Sequence, residues 1–225
     1  MIRLLLLLFW LQFTGLVFAQ GTIVRIEKDN AREIKGELVK GKRADVIGTT
    51  YLYEDWKKGV FLMADGSRFE MQEIKLDLVK NELYYQIDGA LFIVNQPIKE
   101  FWIEAPDGRK IFRYLTSAQG KQSAPRFYEV LYEQGDWFLL KSNLKTKQEQ
   151  YQYNVGTVVE YVDLVRYFLY QQKSTNMYQV GKEVRSFQPF YAGKEKAAEA
   201  YIDLKGRRFD GEKEMIDFLR NLSNQ

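Results

Sequence analysis

The side chains that could do chemistry in this chain are few in kind. Its 225 residues contain neither His nor Cys. That removes Ser-His-Asp and Cys-His nucleophilic mechanisms and any zinc site built on imidazole or thiolate. Asp, Glu, Lys, Tyr and Ser remain. Ser142-Asn143-Leu144-Lys145 matches the Ser-x-x-Lys of penicillin-recognising enzymes, where a helical turn brings the Lys beside the nucleophile. Here the four residues close an expected strand, in which positions i and i+3 point to opposite faces, so no dyad is expected. A glycosidase needs two carboxylates about 5 to 9 Å apart, one with a raised pKa. Glu54 and Asp55 beside Tyr53 and Trp56, Glu100 beside Trp102, and Glu160 and Asp163 around Tyr161 are neighbours of that sort. With 30 acids in the chain such neighbours arise freely, and they read as solvated charges. A calcium loop would need Asp-x-Asp-x-Asp-Gly, which is absent from the sequence. No catalytic residue, metal ligand or cofactor is assigned.

Recognition without catalysis is the stronger reading. Aromatic residues make up 15% of the chain, and Tyr in particular joins an apolar face to a polar tip suited to sugar or peptide surfaces. Tyr51, Tyr53, Trp56 and Trp102 are the first candidate binding residues, and Tyr151, Tyr153 and Tyr161 a second group. The same side chains are also ordinary strand formers that pack in cross-strand pairs, so their exposure decides between the two roles.

The first 19 residues, MIRLLLLLFWLQFTGLVFA, carry one charge at Arg3, an apolar run from Leu4, and small residues at Val17 and Ala19. These features predict a secretory signal peptide cut before Gln20, and an exported mature chain in the periplasm, at the cell surface or outside the cell. The run is shorter than the roughly 20 apolar residues of a spanning helix, and no later stretch is long and apolar enough to span as one. Without Arg3, 32 Lys and Arg face 30 Asp and Glu. So small a balance offers no electrostatic reason to propose nucleic acid, and an envelope protein, a peptide or a glycan is the expected partner class. Roughly 205 mature residues can bury about 70% of their unfolded surface, so the lack of disulfides leaves packing sufficient to hold a core.

The elements that must position these residues are mostly strands. Between Trp56 and Asn143 short apolar runs alternate with turn signals at Asp65-Gly66, Asn81, Asp88-Gly89, Asp107-Gly108 and Gly135-Asp136. Such pairs tolerate positive φ and close hairpins, which predicts an antiparallel meander. Phe69 and Met71 share one alternation phase while Ile74, Leu76 and Leu78 share the other, so a β-bulge or a break between two strands is expected at Gln72-Glu73, bending the sheet towards a barrel or half-barrel. Several runs are apolar on both faces, as in Ala90 to Val94, and call for a cover. Residues 21–48 are ambiguous between helix and edge strands and lean to strand because Gly36, Gly41 and Gly48 interrupt them. Thr116 to Pro125 and Lys145 to Gln150 read as polar connections, and Val165 to Gln171 as a strand pairing with Met177 to Val180. Near the end, Gly193 to Tyr201 is helical in composition, and Asp210 is an expected N-cap for a last helix whose Met215, Phe218, Leu219 and Leu222 form one stripe. The expected fold class is therefore mainly β (α+β): a curved antiparallel β domain over residues 20–180, after a signal peptide at 1–19, with a C-terminal helical tail at 181–225 packed on the sheet.

Gly48 to Trp56 (GTTYLYEDW), Gly59 to Gly66 (GVFLMADG), Phe127 to Lys141 (FYEVLYEQGDWFLLK) and the helical ending together resemble uncharacterised exported β-rich proteins of Bacteroidetes-type bacteria, a domain of unknown function. The resemblance covers about two-thirds of the mature chain and implies the bacterial envelope as the compartment. That family has no assigned activity, so it transfers no site residues. The function expected from the sequence is a non-catalytic binding or structural module. A carrier of a small apolar ligand inside the curved sheet and a carboxylate-based hydrolase are the alternatives.

Overall fold

The computed structural model describes residues 48–116, 125–152 and 156–224, together with two short strands nearer the N-terminus. The expected signal peptide and Tyr153 lie outside the described residues. The strands are β1 (Ile23–Arg25), β2 (Gly36–Leu38), β3 (Lys57–Met63), β4 (Arg68–Asp77), β5 (Glu82–Ile87), β6 (Ala90–Val94), β7 (Ile98–Ala105), β8 (Gly108–Leu115), β9 (Arg126–Gln134), β10 (Trp137–Gln152), β11 (Gly156–Gln171) and β12 (Asn176–Val180). A 3-10 turn (Val184–Phe187) and the helices α1 (Gln188–Tyr191), α2 (Glu195–Lys205) and α3 (Glu212–Ser223) follow. All strands join one open sheet in the order β12-β11-β10-β9-β8-β7-β3-β4-β5-β6-β2, antiparallel throughout, with β1 added in parallel on the first half of β4. The fold is thus mainly antiparallel β with a C-terminal helical segment. Among the described residues no helix is long and apolar enough to cross a membrane.

The turns sit where the residue types call for them. Asn81 (φ 59°), Asp88 (φ 50°) and Gly89 (φ 77°) take the left-handed backbone that tight hairpins need. The bulge is equally legible: Lys57 pairs with Ile74 and Gly59 with Met71, so β4 spends one extra residue at Gln72-Glu73, and Met71 and Ile74 both point inward. Opposite this bend, Gly59 lets two strands close up. A Cβ there would stand 2.2 Å from the Trp102 carbonyl oxygen and 2.4 Å from Ile74 Cδ1. Gly59→Ala is therefore expected to lower stability by about 1–3 kcal/mol, the usual cost of overpacking. An unchanged urea midpoint would show that β7 can yield at this point.

The bent sheet makes two separate interiors. The concave face of β3 to β8 is filled by Phe61, Met71, Ile74, Tyr85, Phe101, Ile103 and Phe112, with Phe101 and Phe112 stacked at 4.8 Å. Further along the sheet, Tyr132, Leu139, Leu169 and Val180 meet Phe187, Phe209, Met215, Phe218, Leu219 and Leu222 from the helical segment. For the β9 to β12 end of the sheet the expected cover is α3, whose apolar stripe is wholly buried, whereas Phe92 and Val94 of β6 pack against the first interior. The other face of β9 to β11 carries a smaller cluster of Tyr128, Phe138, Leu140 and Tyr170.

Two local expectations are corrected. Lys145 to Gln150 is no connection but part of β10, which pairs with β11 over its whole length although β9 leaves it after Lys141. Residues 142–152 and 156–166 thus run on as a two-stranded ribbon. There Thr146, Lys147, Gln148 and Glu149 are exposed, so neither face imposes the alternation that marks a strand. At the last helix the cap position falls on Gly211 and no side chain caps it; the Glu214 carboxylate instead accepts the Asp210 backbone N–H at 2.8 Å.

Candidate binding site

The aromatic residues singled out by the sequence do not form one surface. Tyr51, Tyr53 and Trp56 lie together just before β3, but their faces are turned to lysines. Lys75 Nζ sits 4.9 Å from both the Tyr51 and Trp56 ring centres and donates to the Glu54 carbonyl, while Lys57 lies 5.5 Å over Tyr53. Trp102 is on the outer face of β7, between Arg68 at 5.0 Å and Arg109 at 5.4 Å. Each of these rings is half-buried, and cation–π pairing occupies them. Tyr161 faces Lys147 across the ribbon, and Tyr151, 78% exposed, stands near the ribbon's end. Of the carboxylates, Glu54, Asp55, Glu160 and Asp163 are exposed, and Glu100 is held by Arg113 at 2.6 Å. Ser142 is buried and Lys145 pairs with Asp163 at 3.5 Å.

A concave site appears instead at the mouth of the half-barrel. The Asn81 side chain in the β4–β5 turn accepts the Phe127 backbone N–H at 3.0 Å and donates to the Pro125 carbonyl at 3.5 Å. This ties β4 to the start of β9, four steps away along the sheet. Between them opens a cleft of about 410 Å³, its floor made by Leu83, Val94, Pro97, Ile98 and Phe127 and its rim by Glu82, Asn95 and Gln96. Tyr114 stands at its side, 44% exposed, with its ring 5.0 Å from that of Phe127. Phe127 in turn meets Phe101 edge-on at 5.0 Å, so the cleft's floor is continuous with the first core. The rim acid is engaged: Glu82 accepts from the Tyr84 hydroxyl at 2.6 Å and lies 3.8 Å from Lys80.

Two larger hollows are charged. One of about 670 Å³ between the helices is lined by Glu183, Arg185, Glu199, Asp203 and Arg207. The other, about 520 Å³ on the outer face, centres on Arg113, whose guanidinium is already held by Glu100 and Glu133 over the Phe138 ring. Tyr114 also borders the Arg113 hollow, but that hollow carries four charged side chains, whereas the mouth cleft sets an apolar floor, the Tyr114 ring and uncharged amide groups beside a single acid, Glu82, the mixture that small-ligand sites use.

Where the cover ends, between the two interiors, lies a charged network. Glu129, 5% exposed, is 3.6 Å from Lys110 and 4.0 Å from Lys141, and accepts from the Asn143 amide at 3.0 Å. Lys141 reaches on to Glu212 at 2.8 Å, and Glu212 also accepts from the Tyr167 hydroxyl at 2.9 Å. Burial works to raise the Glu212 carboxyl, but the Lys141 ammonium and the Tyr167 hydroxyl outweigh it and hold it below the usual carboxylate range. Burial pushes the Tyr167 phenol up, and the Glu212 carboxylate that takes its hydrogen bond adds to the shift. These directions are opposite to those of a general acid and of an activated phenol, and they suit a clasp that fixes α3 on β9 to β11.

Sequence reasoning passed over Tyr114 and Glu129. The signal for Glu129 was present: it falls in phase between Phe127 and Leu131, an acid on a core-facing row, and Lys141 interrupts the row of Leu139 in the same way. Tyr114 continues the Phe112 row past the last core residue, but only the contact through Asn81 makes that position part of a cleft.

No protein-family model matches this chain, and neither a curated protein nor a solved structure does.

Proposed function

We propose that this protein is an exported, non-catalytic binding module of the cell envelope or the extracellular space. Its recognition site is the cleft at the half-barrel mouth. The observation that carries this reading is Tyr114, exposed and standing against Phe127 over an apolar floor of about 410 Å³. A flat ring beside amide groups suits an uncharged ligand with one apolar face, a glycan or a short peptide segment. The aromatic filling of the concave face favours binding at the mouth over carriage within the sheet. The signal peptide expected from residues 1–19 and the nearly balanced charge support an envelope partner over nucleic acid.

A glycan and peptide array probed with the mature protein tests this. Binding to members of one class is expected, with Tyr114→Ala weakening it about tenfold, as loss of an aromatic anchor does. Array signals that Tyr114→Ala leaves unchanged would place recognition elsewhere.

A further inference from the structure

On the outer face of the sheet, Arg126 and Arg166 have no acid paired with them among the described residues. Arg126 opens β9, and among the described residues its buried Nε has no hydrogen-bond partner. Buried donors in folded proteins are almost always satisfied, so an orphan of this kind calls for a missing acceptor. Arg68 has a similar buried Nε, but its guanidinium lies over Trp102 at 5.0 Å. Arg126 has no such ring partner among the described residues.

The strand register brings a second cation to it. Tyr128 follows Arg126 by two residues and so shares its face, where its ring meets Phe168 of β11 at 5.7 Å. Arg166 precedes Phe168 by two and pairs in register with Ser142. The row at this point therefore runs Arg126 and Tyr128 on β9, Ser142 on β10, and Arg166 on β11. The groups whose charge acts on the Arg126 guanidinium are Tyr128 and Arg166, with no carboxylate among them. Burial holds Arg126 below its usual range, and the like charge of Arg166 adds to that against the Tyr128 oxygen. Tyr128, pushed up by burial, keeps its proton and is a neutral O–H donor. Two guanidiniums on one face of neighbouring strands repel, and an anion between them would relieve that repulsion.

We infer that Arg126 and Arg166, with Tyr128 beside them, form a binding site for a phosphate-type oxyanion. Donors arriving from two strands fit a tetrahedral group better than a planar one, and guanidinium forks are the usual partners of such groups. The site lies on the face of β9 opposite to Phe127, so it is independent of the mouth cleft.

Calorimetric titration of the mature protein with inorganic phosphate, at ionic strength held constant with chloride, tests the site. Saturable binding is expected, at least about tenfold weaker in Arg126→Met and in Arg166→Met and unchanged in Tyr114→Ala. Arg166 is exposed, so its variant retains the fold and carries the test if Arg126→Met does not. No heat beyond the chloride control, or equal affinity in wild type and Arg166→Met, overturns the proposal. Sedimentation with phosphatidylcholine vesicles, with and without phosphatidylglycerol, then separates the sources. Arg166-dependent binding to the anionic vesicles assigns a lipid headgroup, and its absence alongside phosphate binding assigns a soluble phosphate.

Discussion

Phe218→Ala is expected to destabilise the protein by about 3–5 kcal/mol, the range for removing a buried aromatic ring. Phe218 is fully buried and is the hub of the second interior, with ring contacts to Phe187 (5.9 Å), Tyr191 (6.1 Å), Tyr201 (5.0 Å) and Phe209 (5.5 Å). These rings come from the 3-10 turn, α1, α2 and the α2–α3 connection, so one truncation loosens every piece of the cover. Cutting the chain after Arg208 goes further, since it also removes Phe209, Met215, Leu219 and Leu222. At roughly 1.5–3 kcal/mol for each large side chain, that loss rivals the whole stability of a typical domain. Urea unfolding of residues 20–225 checks both. A truncated chain that melts with the full-length one would mean that α3 does not hold the sheet.

Glu129→Leu is expected to cost about 3 kcal/mol, the lower end for removing one partner of a buried ion pair. The low end applies because neither lysine is left alone: Lys110 keeps Asp107 at 2.6 Å and Lys141 keeps Glu212 at 2.8 Å. What remains are two cations on a face between two apolar interiors, with the Asn143 amide deprived of its acceptor. Because the pair is buried, the loss should persist at high salt, where surface pairs fade. A loss that vanishes in high salt would show that Glu129 is solvated.

The same network sets the pH limits. The Glu212 carboxyl is depressed in the folded state, so its contribution is present above the unfolded value of about 4.3 and is lost as pH falls through the folded one. For Tyr167 the sign reverses. The unfolded phenol ionises near about 10 while the folded one keeps its proton, so stability falls as pH rises past that point. Glu212→Gln should flatten the acid limb of the stability curve and Tyr167→Phe the alkaline one.

Local chemistry made much of the fold readable. Asp88-Gly89 and Asn81 adopt the positive φ that their side chains tolerate, and the antiparallel pairs on either side follow from hairpins that short. The phase slip from Met71 to Ile74 located an irregularity at Gln72-Glu73, because side-chain direction in a strand alternates strictly, and the structure resolves it as a bulge within one strand. The stripe of α3 was legible for the same kind of reason, a period of 3.6 that nothing interrupts. The ribbon of β10 and β11 was not, since residues 146–149 meet solvent on both faces and its polar residues then carry the composition of a loop.

Signals that span a few residues, turn types, alternation phase and helical stripes, were determined by the sequence by itself, for they depend on backbone sterics and on which side of one element is apolar. The partners brought together over long separations were decided only by the tertiary structure. Asn81 reaches Phe127 across 46 residues to open the mouth cleft beside Tyr114. Tyr51 and Trp56 turn their rings to Lys75, and Arg126 comes to share one face of the sheet with Arg166. The physical reason is that an aromatic or charged side chain has the same local signature whether it is spent on a neighbour or left for a ligand. Which of the two it is depends on how far the sheet bends and where α3 stops covering it.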